Sequence, residues 1–163
     1  MSLKTPHHLW TTSDNSVFET NKSVVVERLL SGRYMSDWHT RHWSPNNKEG
    51  HCLLCPGKSL AGTIEHLLVH CEALEEKRQT LINYLHVQTQ EHPQLRSLFT
   101  GMLSSATDNL VQFLLDPSVT PPVISGCQEN QFTLKDIFTL CRTFCYGIHR
   151  RRLQLLGRFN FQC

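Results

Sequence analysis

Four metal-ligand residues in a short stretch constrain this chain more than any other feature. They follow the spacing C-x2-C-x10-H-x4-C, which is typical of a closed, tetrahedral zinc site. The four residues are Cys52, Cys55, His66 and Cys71. Pro56 and Gly57 come directly after the first pair and favour a sharp turn, which lets two thiolates point at one centre. The sequence therefore predicts a zinc knuckle at residues 52–71.

The fourth ligand is the open point of this prediction. Thr63 is placed to cap a helix that begins at Ile64, and this puts His66 in the first turn. On an ideal helix a residue five positions on is rotated by about 140°, so His66 and Cys71 face one metal only where the turn between them is distorted. His70 lies four residues after His66 and is the rival ligand by geometry. Thiolate softness favours Cys71.

Other interpretations of these residues are weaker. Free cysteines behave as small buried hydrophobes. Here, however, four ligand residues lie close together, and two of them are on a Pro-Gly turn. A metal site explains this pattern better than chance burial does. A redox C-x-x-C pair requires a βαβ context that the neighbouring sequence does not offer. A zinc hydrolase requires an open coordination position, and a set of four protein ligands leaves none.

The residues around the predicted site resemble a known kind of sequence. Residues 62–78, GTIEHLLVHCEALEEKR, are similar to the zinc-binding segment downstream of the reverse transcriptase domain in non-LTR (LINE-like) retrotransposon polyproteins. Those proteins show a Cys pair, a Glu-His-Leu-Leu-x-x-Cys phrase and then a charged helix. The phrases LLSGRY at residues 29–34 and WHTRHW at residues 38–43 resemble the short helical run before the knuckle in many such elements. The resemblance covers residues 20–90.

This resemblance implies a non-catalytic module that binds RNA or DNA, beside a polymerase domain supplied in trans. The chain itself has no Tyr-x-Asp-Asp motif, and its 163 residues are too few for a polymerase. It also lacks a nucleophile-elbow motif and a visible set of carboxylates for a two-metal nuclease site. We therefore expect no enzyme activity and no small-molecule substrate. The alternative is a zinc-stabilised interaction or structural module that does not bind nucleic acid.

Two groups of cationic residues are candidates for contact with nucleic acid. The run at residues 38–43 places a guanidinium among aromatic rings, on which single-stranded bases can stack. We expect Trp38 to pack against the knuckle. Arg41 and Trp43 stay open as candidates for binding, with Arg33 and Lys48 as further candidates for phosphate contact. The end of the last helix carries more cations than its dipole requires, which suits a strand of phosphates or an acidic protein surface. These cations are Arg150, Arg151, Arg152 and Arg158.

Composition predicts an intracellular globular protein. Hydrophobic residues make up 39% of the chain and charged residues 18%, which is typical of one folded domain. There is no run of eighteen apolar residues and no signal-peptide core, so we expect a protein of the nucleus or cytoplasm that does not contact a membrane. Its cysteines are then reduced. Those outside the zinc site are predicted to be packing residues: Cys127, Cys141, Cys145 and Cys163.

The remaining pattern predicts an all-α fold, a small helical domain stapled by one CCHC zinc knuckle. A flexible N-terminal arm is expected at residues 1–19, and the helical domain at residues 20–163. Predicted helices lie at residues 21–33, 36–43 and 63–86, as a pair within 93–116, and from the Thr133 and Asp136 capping box to Gly157. The helix at residues 63–86, with an acidic, solvated outer face, is expected to be the centre of the fold.

Overall fold

Helices form nearly all of the regular structure of this chain. The computed structural model describes residues 16–120 and 134–157. The α-helices in these ranges are α1 (Val17–Leu30), α2 (Asp37–Thr40), α3 (Glu75–Gln88), α4 (Pro93–Leu103), α5 (Thr107–Leu115) and α6 (Leu134–Leu155). No strand forms within the two ranges, where one isolated antiparallel bridge joins His51 to Ala61. None of the helices described is long and apolar enough to cross a membrane. The all-α prediction is confirmed for this part of the chain.

Helix α6 is the element on which the core is built. Its buried apolar side chains recur every three or four residues and form one stripe, against which α1, α3 and α5 pack. The residues of the stripe are Ile137, Cys141, Phe144, Cys145 and Ile148. The stripe does not continue to Leu155, which also lies at helical spacing but is 43% exposed. The last turn of α6 lies beside the Asp37 carboxylate. It therefore buries the Arg152 guanidinium in place of an apolar side chain.

Helix α1 begins earlier than the sequence pattern predicts. Ser16 is its N-cap and accepts a hydrogen bond from the Glu19 backbone N–H at 3.2 Å. This Ser-x-x-Glu phrase is a capping-box signature. Residues 17–19 therefore belong to the helix and not to the predicted arm, whose residues 1–15 lie outside the described ranges. Buried Lys22 ties the helix to α6 through the Thr143 hydroxyl at 3.1 Å.

The predicted long helix at residues 63–86 is wrong, because the chain breaks at Cys71. A π-helical turn, His66–His70, is followed by Cys71 in an extended conformation and by a 3-10 turn, Glu72–Leu74, before α3 begins. Leu67, Leu68 and Leu74 are all buried. The apolar stripe thus continues across the break, which is why periodicity predicts one helix.

Arg78 satisfies the backbone at this break. Its Nε donates to the Leu68 carbonyl and its Nη2 to the Cys71 carbonyl, both at 3.0 Å. Carbonyl groups at a helix end need such partners when they are buried. The sequence pattern places Arg78 on a solvated face, but its side chain is buried. An arginine here stabilises the change of direction that the chain makes at Cys71.

The predicted pair of short helices after residue 93 is found as α4 and α5. Pro93 occupies the first turn of α4, where its missing N–H is not needed. Phe99 of α4 and Phe113 of α5 are fully buried and meet edge to face, with ring centroids 5.2 Å apart. Aromatic pairs favour this arrangement, which fixes α4 against α5.

Candidate metal centre

The four residues with ligand spacing come together in one buried cluster. The Sγ and imidazole nitrogen atoms of the set all lie within 4.8 Å of one another. We call this set, Cys52, Cys55, His66 and Cys71, the Cys3His cluster. The Cys55 and Cys71 sulfurs are 3.6 Å apart, and the Cys52 and Cys71 sulfurs 3.9 Å. In a tetrahedral site with Zn–S bonds of about 2.3 Å, ligand sulfurs lie about 3.8 Å apart. The cluster therefore has the dimensions of a tetrahedral metal site.

A tight turn supplies the first two ligand atoms, as the sequence predicts. The Cys55 N–H donates to the Cys52 carbonyl at 3.2 Å, and the Lys58 N–H donates to the Cys55 carbonyl at 3.3 Å. Gly57 has φ +79°, a conformation that glycine adopts without steric cost. We call residues 52–58 the Cys turn. It brings two thiols from one short segment to the same side of the chain.

The π-helical turn explains how His66 and Cys71 meet. Thr63 caps the turn as predicted, because its Oγ1 accepts from the His66 N–H at 3.1 Å. The Cys71 N–H then donates to the His66 carbonyl at 2.6 Å, which is an i to i+5 hydrogen bond. Such a turn is wider than an α-helical one and is frequent at functional sites. This is the distortion that the spacing requires for His66 and Cys71 to share a centre.

His70, the rival fourth ligand, lies outside the cluster. Its side chain is half exposed, and its Nε2 lies 3.4 Å from the Glu65 carboxylate. Cys71 is fully buried, and its sulfur contacts both other cysteines. The widened turn, with Cys71 extended at its end, brings position 71 towards the centre. The geometry therefore groups Cys71, and not His70, with the other three residues.

The thiols of the cluster change each other's acidity. Hydrogen bonding with the Cys71 thiol lowers the pKa of Cys52, and the same contact raises the pKa of Cys71. Ionisation of one thiol thus opposes ionisation of its neighbour, since adjacent negative charges repel. A divalent cation at the centre removes this opposition, because it favours the thiolate form of every sulfur that binds it.

The other described cysteines serve packing, as predicted. Cys141 and Cys145 are free thiols in the core of α6. Burial raises the pKa of Cys145 to about 12 and raises the pKa of Cys141 as well. Both thiols are therefore held in the neutral form and are poor nucleophiles. Cys127 and Cys163 lie outside the described residues.

The predicted cationic residues at the end of α6 lie in different surroundings. Arg152 is 4% exposed, and its Nη2 donates to the Asp37 Oδ1 at 2.9 Å. Its burial argues against the predicted contact with phosphate. Arg150 and Arg151 line a cleft of about 440 Å³ beside α3, and the Arg151 Nη2 lies 4.0 Å from the Glu76 carboxylate. Arg158 lies outside the described residues.

The aromatic run near α2 is on the surface, and its rings differ in what they contact. The Arg41 guanidinium lies over the Trp38 ring, 3.9 Å from its centroid. Trp43 is 74% exposed. Arg41, Trp43 and Lys48 line an open cleft of about 500 Å³. Trp43 and Lys48 thus face solvent beside half-buried Arg41, whose Nη1 also donates to the Trp38 carbonyl.

Sequence reasoning missed Asp37, which belongs to the surroundings of the cluster. Its Oδ2 accepts a hydrogen bond from the Leu53 N–H, inside the Cys turn, at 3.1 Å. A Ser-Asp phrase at a helix start signals a cap, and Ser36 does cap α2. Nothing in that phrase indicates a contact with residue 53.

The metal-ligand geometry is the strongest functional feature of the described residues. No protein-family model, curated protein or solved structure matches this chain. The resemblance to retrotransposon segments therefore stays a prediction.

Proposed function

We propose that this chain is a non-catalytic helical module whose fold is closed by one zinc ion. The observation that carries the proposal is the Cys3His cluster, with three thiols and one imidazole buried within 4.8 Å of one another. Zinc binds such sets with four protein ligands in structural sites, whereas catalytic zinc keeps one position for water or substrate. A site filled by its own protein ligands leaves no place for substrate.

The donor atoms favour zinc over other abundant metal ions. Calcium and magnesium prefer oxygen ligands, and the cluster offers none. Thiolate and imidazole ligands in tetrahedral geometry are typical of zinc. When bound, zinc would supply two positive charges that hold three thiolates together. The Cys turn and the π-helical turn would then be fastened to each other at this point.

Metal analysis of the purified protein tests this proposal. We expect one zinc per chain in the wild type and a loss of stoichiometric zinc in Cys71→Ser. The matched control is His70→Ala, which removes the neighbouring ligand-type residue outside the cluster and is expected to keep the metal. Zinc retained by Cys71→Ser but lost from His70→Ala would contradict the assigned fourth ligand. Absence of metal from the wild type would overturn the proposal itself.

We further propose that the module binds single-stranded nucleic acid at the surface around Trp43. The exposed ring of Trp43 offers a stacking face, and Arg41 and Lys48 beside it offer positive charge for phosphate. Base stacking on an aromatic side chain contributes about 1–3 kcal/mol per base and tolerates any sequence. Arg150 and Arg151 are further candidates for phosphate contact. Arg152 is not among them because its guanidinium is buried against Asp37.

Titration with short RNA at two salt concentrations tests this second proposal. Trp43→Ala should weaken binding to single strands by about 1–3 kcal/mol and affect duplex less. The control Tyr84→Ala removes a partly exposed ring from helix α3, away from Trp43, and should leave binding unchanged. Replacing Arg150 and Arg151 should lower the slope of log affinity against log salt by about 0.7 per lost contact. If the wild type shows no salt-sensitive binding, the interaction-module alternative is favoured.

A further inference from the structure

One buried carboxylate joins the Cys turn to the end of the longest described helix. Asp37, in α2, is 2% exposed. Its Oδ2 accepts from the Leu53 N–H at 3.1 Å and its Oδ1 from Arg152 Nη2 at 2.9 Å. A buried carboxylate is costly unless both its oxygens are bonded. Here each oxygen has a partner from a different part of the chain.

The contact with Leu53 bears directly on the metal site. Leu53 follows Cys52 and lies inside the turn that carries two of the cluster thiols. Because the peptide bond is planar, the direction of this N–H is set by the orientation of the peptide group that joins Cys52 to Leu53. By accepting this hydrogen bond, Asp37 restrains the peptide group between Cys52 and Leu53, next to the Cα that carries the Cys52 thiol.

Arg152 holds Asp37 in place from the other side. The guanidinium lies 5.7 Å from the centroid of the Tyr34 ring. The Tyr34 hydroxyl is in turn 3.0 Å from the His149 Nδ1, one turn earlier on α6. The arginine is thus held between a carboxylate and a ring. It donates one hydrogen bond to the carboxylate through Nη2, and its buried Nε has no hydrogen-bond partner. Movement of the end of α6 would therefore displace Asp37 and change its hydrogen bond to the Cys turn.

Gly62 makes this approach possible. A Cβ atom at position 62 would lie 2.6 Å from the Asp37 Cβ and 3.2 Å from the Cys52 Cα. No side chain larger than hydrogen fits between them without displacement. The Gly62 carbonyl also accepts from the Trp38 N–H at 3.3 Å. The segment after the Cys turn is therefore shaped to let the carboxylate reach the turn.

We propose that Asp37 is a positioning residue of the zinc site, and that Arg152 couples metal binding to the docking of α6. This inference rests on the proposed zinc function. Three thiolates, one neutral imidazole and one zinc ion carry one net negative charge. A further carboxylate close to such a centre would be unfavourable alone, and the Arg152 cation compensates it. Partners in the outer shell of metal sites commonly orient ligands in this way.

The experiment is the rate of zinc release to a coloured chelator, measured on the full chain under conditions where circular dichroism shows folded protein. Asp37→Asn and Arg152→Met should each release zinc about 10- to 100-fold faster than the wild type. The control Lys22→Met removes another buried cation that contacts α6, through Thr143, and should release zinc at the wild-type rate. Cobalt substitution provides a second readout, since its absorption bands report the geometry of the thiolates and not global stability.

The outcomes separate the inference from the proposal on which it rests. A wild type without metal contradicts the zinc proposal. A wild type with metal, whose Asp37→Asn variant keeps the same release rate and the same cobalt spectrum, overturns the positioning role alone. Equal acceleration in Lys22→Met and Asp37→Asn overturns it too, because the effect is then general destabilisation. If Asp37→Asn does not fold, Arg152→Met decides between the same results.

Discussion

In the described part of the chain, two sets of cysteine and histidine residues lie within or beside the core, and one of the two has the geometry of a metal site. The first set comprises Cys52, Cys55, His66 and Cys71. The second set follows one face of α6 at intervals of four residues and comprises Cys141, Cys145 and His149. Both contain thiols and an imidazole, and in the second set the intervals of four residues place them on one helix face. The difference between them lies in the backbone that carries the side chains.

A straight helix separates the members of the second set. Residues 141 and 149 are eight positions apart, which is about 12 Å along a helix axis, so they cannot bind one metal ion. Cys145 and His149 have other partners instead. The Cys145 Sγ lies 3.6 Å from the Leu114 carbonyl, and the His149 Nδ1 lies 3.0 Å from the Tyr34 hydroxyl. Convergence on one point requires a backbone that turns, as it does at the Cys turn and at Cys71.

Removal of metal should have the largest effect, and it should disorder the region of the first set and not that of the second. Structural zinc contributes about 10 kcal/mol or more of apparent binding energy in small domains. A chelator should therefore remove order from residues 50–72, while α6 keeps part of its helix through its own apolar stripe. Circular dichroism gives the total helix loss, and amide exchange locates it. Cys52→Ser is the control, since it should already lack the chelator response. Unchanged amide exchange after complete zinc removal would contradict a structural role.

A cavity in the helical core should lower the free energy of unfolding by less than metal removal does, and it should leave the metal in place. Phe113→Ala removes a fully buried ring and should lower the free energy of unfolding by about 3–5 kcal/mol. Zinc content should stay at one per chain wherever the variant is folded. Urea denaturation and metal analysis measure the two effects. Val87→Ala, at an exposed position of α3, is the control and should change neither. Zinc loss from folded Phe113→Ala would show that the two regions are not separable.

The histidine of the second set should make stability depend on pH. Burial, with a smaller contribution from the Arg152 guanidinium, lowers the pKa of His149 to about 4. The ordinary value is near 6.5, so between these values the unfolded chain binds more protons than the folded one. Stability is therefore lost as the pH falls from about 6.5 to about 4.

His149→Gln should remove this part of the pH dependence. The difference between wild type and variant in the free energy of unfolding should change by up to about 3 kcal/mol over this range. Urea denaturation at several pH values measures it, and comparison with the variant cancels the contribution of the cluster. Parallel curves for the two proteins would mean that His149 titrates normally when folded.

The smallest effect is expected at the thiols of the second set. Cys145→Ala removes a buried sulfur that packs in α6 and should lower stability by on the order of 1 kcal/mol. Cys71→Ser, a change of similar size in the first set, should abolish metal binding. Thermal denaturation with metal analysis compares the two variants. Loss of zinc from Cys145→Ala would mean that the second set contributes to metal binding after all.

Local sequence patterns predict the helices and the members of the cluster better than they predict its surroundings. Apolar periodicity is a property of neighbouring residues, so α4, α5 and α6 are found where it places them. Apolar periodicity does not predict the break at Cys71, because Leu68 and Leu74 continue the same apolar stripe on both sides of it. The burial of Arg152 depends on Asp37, 115 residues earlier. Such a long-range pair has no local signal.

The central claim is that the Cys3His cluster binds one zinc ion, and zinc-edge X-ray absorption of the purified protein tests it most directly. The structure brings three sulfurs and one imidazole nitrogen within 4.8 Å of one another. We expect a first shell of three sulfur atoms at about 2.3 Å and one nitrogen at about 2.0 Å. A first shell made mainly of oxygen and nitrogen, or one with a single sulfur, would contradict the claim.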